Sequence, residues 1–133
     1  MTWFQPPGYV HIMVKDTWAE QVLATTGATF PFAAQRTADG AALVLRAVNP
    51  SASAQLFTLA LAGGAGGAAG PALSTWTLGG EGFSPTDDNT PGAPAAVSPV
   101  LAQVPVAAGA RSFNFTLPPR SFMVVRVPLA QGA

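Results

Sequence analysis

The chain opens with a helical hydrophobic period and then changes to a period of two. In the segment TWFQPPGYVHIMVKDTW, Tyr9, Ile12 and Met13 fall at i, i+3, i+4 spacing, with Val10 and Val14 beside them. That spacing places them along one side of a helix. Pro7 suits the first turn, where its missing N–H has no intrahelical bond to lose. The pattern predicts a short helix from Gly8 to Lys15. A helix of that length is marginal alone in water. Trp3, Phe4, Tyr9 and Trp18 add apolar surface that the folded protein has to cover.

From Ala28 onward the pattern is that of strands. Thr29 to Arg36 reads as a strand, and Pro31 argues for an edge position because it cannot donate to a ladder. Ala38-Asp39-Gly40 is a turn signal. Ala41 to Val48 (AALVLRAV) is a strong strand, stopped by Asn49-Pro50-Ser51. Ala54 to Leu61 follows, with Phe57, Leu59 and Leu61 on one face, and the two are expected to pair as an antiparallel hairpin. Gly63 to Gly70 holds only Gly and Ala and reads as a flexible loop. It is no phosphate loop, since no Lys-Ser/Thr follows.

Ala72 to Leu78 reads as a strand, with Trp76 expected in the core. Gly79 to Pro99 is a long irregular stretch of a kind that usually packs or carries function. Val100 to Val106 is a strand limited by Pro105, and Ala107 to Ala110 is a turn. Ser112 to Leu117 alternates cleanly, with Phe113, Phe115 and Leu117 inward and Ser112, Asn114 and Thr116 outward. After Pro118-Pro119, Phe122 to Val127 is the last strand, with Met123, Val125 and Val127 on one face. Short strands punctuated by Gly and Pro predict an all-β fold. The expected form is an antiparallel, jelly-roll-like β-sandwich preceded by one short helix.

A length of 133 residues fits one domain with a real core. Six basic and six acidic residues cancel, so neither nucleic acid nor an acidic membrane surface is expected as a partner. Charged residues make up 9% of the chain, against about 25% in typical soluble domains. Either Ala fills surface positions or another domain covers part of the surface. No apolar run approaches the ~20 residues that span a bilayer. The N-terminus lacks a signal-peptide pattern, because Pro6, Pro7 and Asp16 interrupt it, and Met1 reads as an artificial start. Without cysteine there is no disulfide or thiolate metal site.

Few residues offer chemistry. His11 is the single histidine and is expected to be structural and partly buried rather than a zinc ligand. Asp87 and Asp88 are neighbours in a polar loop, which suits a turn or capping role better than Ca²⁺ binding or acid–base work. Retaining glycosidases instead hold two carboxyls ~5–5.5 Å apart on separate elements. Glu81 lies in a Gly-Gly-Glu-Gly turn and is expected to be solvated. Trp18 and Trp76 are the candidates for stacking on a sugar. Asn114-Phe115-Thr116 is an N-glycosylation sequon on a predicted outer face. No triad or nucleotide motif is present, so the residues describe a non-catalytic β domain.

The stretch DDNTPGAPAAVSP, Asp87 to Pro99, has an unusual spacing: Asp-Asp-Asn-Thr, Pro94 five residues after Asn89, then Val97 and Pro99. It resembles a segment in the C-terminal domain of plant-type α-L-arabinofuranosidases of glycoside hydrolase family 51. PPRSFMVVRV, Pro118 to Val127, is similar to that family's closing strand, with Arg120 in place of the family's His, so no role passes to that position. PPGYVHIMVKDTWAEQVL, Pro6 to Leu23, looks like the last barrel helix and its exit, with Thr17-Trp18-Ala19 replacing the family's Asn-x-Gly. LVLRAVNPSASAQLFTLAL looks like the family's long hairpin with an Asn at its turn.

The resemblance implies a two-part enzyme. A (β/α)8 barrel with two catalytic glutamates removes terminal α-L-arabinofuranosyl groups from arabinan or arabinoxylan, with retention. The sandwich packs against that barrel. By the same resemblance, the whole enzyme is extracellular or in the cell wall. This chain resembles only the last barrel helix with its linker, residues 1–25, and the sandwich, residues 26–133. Glu20 and Glu81 sit in no matching motif, so no catalytic, cofactor-binding or metal residue is assigned and no cofactor is expected. Residues N-terminal to the barrel complete the sandwich in the family, which implies an open sheet edge here. A free-standing carbohydrate-binding or structural β-sandwich module is the alternative.

Overall fold

The structure is a computed structural model and describes residues 4–63, 66–84 and 86–131. Trp3 lies outside the described residues. Helix α1 (Pro6–Asp16) precedes eight strands: β1 (Gln21–Leu23), β2 (Phe32–Arg36), β3 (Ala42–Asn49), β4 (Gln55–Ala60), β5 (Ala72–Gly79), β6 (Val100–Pro105), β7 (Ser112–Leu117) and β8 (Ser121–Pro128). They form a six-stranded sheet, ordered β1-β2-β3-β8-β5-β6, and a two-stranded sheet, β4-β7. All pairings between these strands are antiparallel. The expected sandwich with one leading helix is what the chain forms.

The core lies where the alternating strands face each other. Leu43, Leu45 and Ala47 of β3 and Met123, Val125 and Val127 of β8 meet Phe113, Phe115 and Leu117 of β7. Phe57 of β4 joins them, its ring centroid 5.3 Å from that of Phe115 and 5.3 Å from that of Phe30. β3 and β8 are buried on both faces over most of their length. Their outward residues Val44 and Val124 pack with Leu78, Val97, Met13 and Ala19 in a second cluster. Each such aliphatic side chain contributes roughly 1.5–3 kcal/mol on full burial. The helix and the long loop after β5 are therefore held to the outer face of the large sheet by the same hydrophobic effect that closes the sandwich.

Three expectations fail here. β3 and β4 do not form a hairpin, because β3 pairs with β2 and β8 while β4 pairs with β7 in the other sheet. The connection is a crossover between sheets, fixed by Asn49. This side chain is 1% exposed. Its Nδ2 donates to the carbonyls of Ser53 (2.8 Å), Pro118 (2.9 Å) and Leu117 (3.2 Å). Its Oδ1 accepts from the N–H and hydroxyl of Ser51. Secondly, β2 is not an edge strand, since β1 pairs along it from Ala34 to Arg36. Pro31 precedes the strand, and its carbonyl accepts from Val48 N–H at 3.0 Å.

Thirdly, the described part of the Gly/Ala stretch is no loose loop. Ala68 is fully buried, donates to Ala110 O and accepts from Gly109 N–H. Ala130 N–H donates to Gly67 O at 2.9 Å. The backbones come so close that a Cβ at Gly67 would overlap the Gly109 carbonyl, and one at Gly66 would lie 2.6 Å from Ala130 O. Here Gly is required for close approach of backbones rather than for flexibility. Gly67→Ala is expected to cost about 2 kcal/mol, the scale of overpacking where only backbone can yield. A fall of the urea midpoint with an unchanged m-value checks this.

At the β2–β3 turn, the Thr37 hydroxyl and then the Ala41 N–H donate to Asp39 and hold its carboxyl below the ordinary value. The helix ends are also explained by local chemistry. Pro6 and Pro7 remove two of the N–H groups that a helix start leaves without partners, so the N-cap Gln5 needs no capping side chain. At the other end, the Arg46 guanidinium donates to Thr17 O at 2.8 Å and to Gln35 Oε1. It sits where the helix dipole favours positive charge, although burial pulls its pKa below the usual arginine range. Arg46→Met is expected to cost about 1–2 kcal/mol by removing this cap. Faster amide exchange in α1 than in β7 would locate the loss.

Candidate functional site

The chemistry-bearing residues gather on the outer face of the large sheet, where α1 and the loop from Gly80 to Pro99 lie side by side. Asn89 joins the two. Its side chain is 2% exposed. Nδ2 donates to Phe4 O at 2.7 Å and Val97 O at 2.8 Å, while Oδ1 accepts from Val97 N–H at 2.7 Å. Its backbone is engaged as well. Asn89 N–H donates to Gln5 Oε1 at 3.0 Å, and Gln5 Nε2 donates to Asn89 O at 2.8 Å. The Gln5 amide thus mimics a strand partner, and the loop is clamped to the start of the helix. Between Asn89 and Val97 the chain turns back through Thr90 and Ala93, whose backbones bond each other in both directions. This closure gives a physical reason for the Asn-to-Val offset.

Beside the clamp is a shallow pocket of about 320 Å³. Pro6, Val48, Phe83 and Phe122 supply its apolar walls, and Asp87 and Arg120 its charge. Asp87 is occupied as a turn residue, accepting the Ser84 N–H at 2.7 Å, and Asp88 is exposed. Arg120 is exposed and has φ +48°, a left-handed conformation that non-glycine residues rarely adopt. Its N–H donates to Ser51 O, and its carbonyl lies 2.5 Å from where a Cβ at Gly79 would be. The tight turn between β7 and β8 thus requires Gly79 on the neighbouring strand.

The remaining candidates do not converge. Glu20 is exposed and accepts the Ala38 N–H beside the start of β3. Glu81 is exposed in a turn just after β5, whose last residue aligns through Ser121 with the end of β3. The two glutamates are therefore separated by about the length of β3, on the order of 20 Å, far beyond the ~5–5.5 Å of a retaining pair. His11 is exposed, not partly buried, because it lies about 160° around the helix from Met13, the residue that faces the sheet. Among the described residues no three His, Asp or Glu side chains converge on a point that would hold a metal ion.

Trp76 is half-buried against the outer cluster, while Trp18 is 59% exposed. Asn114 is exposed on β7 and accepts from the Thr58 hydroxyl at 2.7 Å. Sequence reasoning missed Gln5 and Arg46. A lone cation inside the apolar run ALVLRAV was the available sign that the outer face of β3 meets something polar.

No protein-family model matches the chain, and no curated protein sequence matches it. Solved structures do. An arabinose-bound α-L-arabinofuranosidase of glycoside hydrolase family 51 matches with a TM-score of 0.81 at 20% identity, over 96% of this chain and 20% of that one. A family 51 α-L-arabinofuranosidase from Bifidobacterium longum matches with a TM-score of 0.64 at 21% identity, over 94% of this chain and 26% of that one. A family 30 endoxylanase from Clostridium papyrosolvens matches with a TM-score of 0.57 at 16% identity, over 92% of this chain and 28% of that one. The chain spans about a fifth to a quarter of the length of these structures. It has the fold of a minor portion of family 51 α-L-arabinofuranosidases.

Proposed function

We propose that this chain is the C-terminal β-sandwich portion of an α-L-arabinofuranosidase that hydrolyses terminal non-reducing α-L-arabinofuranosyl residues of arabinan or arabinoxylan. The observation that carries this is the TM-score of 0.81 over 96% of the chain to a family 51 enzyme. The Asn89–Val97 loop closure, at the spacing by which the sequence resembles that family, supports it. Residues 1–25 are then the end of the last barrel helix with its linker, and residues 26–133 the sandwich. The catalytic glutamates lie on a (β/α)8 barrel outside this chain, which acts extracellularly or in the cell wall. The role of the sandwich is structural: it packs against the barrel.

The chain alone is expected to be inactive. Incubation with 4-nitrophenyl α-L-arabinofuranoside should release no 4-nitrophenol above the uncatalysed rate, and release would overturn the assignment of catalysis to a barrel. The transcript upstream of Met1 tests the family reading itself. It should encode a barrel with a glutamate at the ends of two strands, and an unrelated upstream frame would end the proposal.

A second reading, a carbohydrate-binding module, is favoured by the exposure of Trp18 (59%) and Phe4 (50%). Exposed aromatics supply the flat apolar faces that stack on sugars. Pull-down on insoluble arabinoxylan separates the two readings: retention that Trp18→Ala abolishes supports the module, and passage through the matrix supports the packing domain.

A further inference from the structure

The small sheet presents one uncharged face to solvent. Its cross-strand neighbours there are Leu56 opposite Thr116 and Thr58 opposite Asn114. Leu56 is 83% exposed, the most exposed large hydrophobic among the described residues. Asn114 and Thr116 are both exposed, two residues apart on one strand, and so project to the same side. The Thr58 hydroxyl donates to Asn114 Oδ1, which orients the amide, and among the described residues its Nδ2 has no hydrogen-bond acceptor. Leu61 N–H donates to Arg111 O, which makes Leu61 and Arg111 a hydrogen-bonded pair of the ladder. By strict alternation from that pair, the backbone of Asn114 points away from β4. Among the described residues no strand is hydrogen-bonded to that side of β7, which borders an open pocket shared with Val104 to Ala107.

We infer that Asn114 is an acceptor for an N-linked glycan, and that this glycan covers the apolar surface at Leu56. The donor class is an oligosaccharide carried on a lipid pyrophosphate. The amide Nδ2 bonds to the anomeric carbon, the bond from that carbon to pyrophosphate breaks, the amide loses one proton, and the lipid pyrophosphate leaves. Three asparagines are present, and only Asn114 has the required pattern. Asn49 is followed by Pro50, which blocks the sequon, and Asn89 has Pro91 at the hydroxyl position. The modification therefore belongs to a single residue. It also gives hydrophilic cover to a chain in which charged residues are only 9%.

The full chain, secreted from a eukaryotic host behind a cleavable signal peptide, tests this by intact mass. The expected result is a mass above that of the polypeptide, returned by peptide N-glycosidase F to the polypeptide mass with Asn114 converted to Asp. Asn114→Gln and Thr116→Ala should each abolish the increment, and Thr116→Ser should retain it. Cell-free translation with microsomes reads the same increment without requiring secretion. A wild-type chain that carries only its polypeptide mass in both systems, or a Thr116→Ala variant that keeps the increment, would overturn the inference.

Discussion

Asn89→Ala is expected to lower the unfolding free energy by about 3–4 kcal/mol, most of it from two buried backbone groups left without partners. Among the described residues the side chain makes three bonds, but they do not weigh equally. Phe4 is half exposed, so water replaces the lost donor to its carbonyl. Val97 is buried, so its N–H and C=O lose their partners in a place water does not reach. An orphaned buried group costs about 1–3 kcal/mol, and two of them set the estimate. For a chain of this length the midpoint of thermal unfolding should fall by on the order of 10 °C. Hydrogen exchange gives the more specific check. Residues 4–16 and 87–97 should lose protection together, because one side chain ties the two segments to each other. Loss confined to the loop would show that the clamp does not hold the helix. Asn89→Asp keeps the acceptor for Val97 N–H but gives up both donors, and should be nearly as costly as Asn89→Ala.

The clamp bears on how much of the molecule its sequence reveals. The spacing of Asn89, Pro94, Val97 and Pro99 marks this loop as a distinct segment, but spacing alone does not reveal burial. The reason lies in long-range partners, Phe4 and Gln5, more than eighty residues away in sequence. Strands were the most legible elements. Ser112–Leu117 matches the expected bounds, because alternation reports directly which side of a strand is buried. Alternation does not report which strand lies beside it. β3 and β4 have patterns that suit a hairpin equally well, and only the corner at Asn49 sends them into different sheets. β1, with three residues, is too short to impose a pattern at all.

Composition misled in one place for a definite reason. A run of Gly and Ala signals flexibility when nothing surrounds it, and close backbone approach when other strands do. Gly67 and Ala68 belong to the second kind, wedged against the turn at Gly109 and against Ala130, just after β8. His11 shows the same limit at smaller scale. Its burial depends on which side of α1 meets the sheet, and a helix with Tyr9, Val10, Ile12, Met13 and Val14 spread over a wide arc leaves that choice open. The same arc leaves Ile12 and Val14 only half-covered by the sandwich.

Asn49→Ala should cost about 3 kcal/mol, and its effect should appear at the opposite sheet from that of Asn89. Asn49 gathers the carbonyls of Ser53, Leu117 and Pro118 with the Ser51 N–H, so one amide joins the exit of β3, the entry to β4 and the end of β7. Only the bond to Leu117 is fully buried; the others border on solvent and water partly replaces them. That places the estimate at about 3 kcal/mol rather than higher, with the cost coming from the Leu117 carbonyl and from loosening of a turn that Ser51 otherwise shares. Asn49→Asp sharpens the test. The carboxylate keeps the Ser51 contacts but faces three carbonyl oxygens with negative charge and no donor. It should be at least as destabilising as Asn49→Ala at neutral pH. Because the folded state then favours the protonated carboxyl, stability should be partly regained as the pH falls, the reverse of the ordinary acid loss of a salt-bridged carboxylate. Urea midpoints of the two variants at neutral and mildly acidic pH measure this. If Asn49→Asp loses stability on acidification as wild type does, its side chain does not face those carbonyls, and the corner is held by the backbone alone.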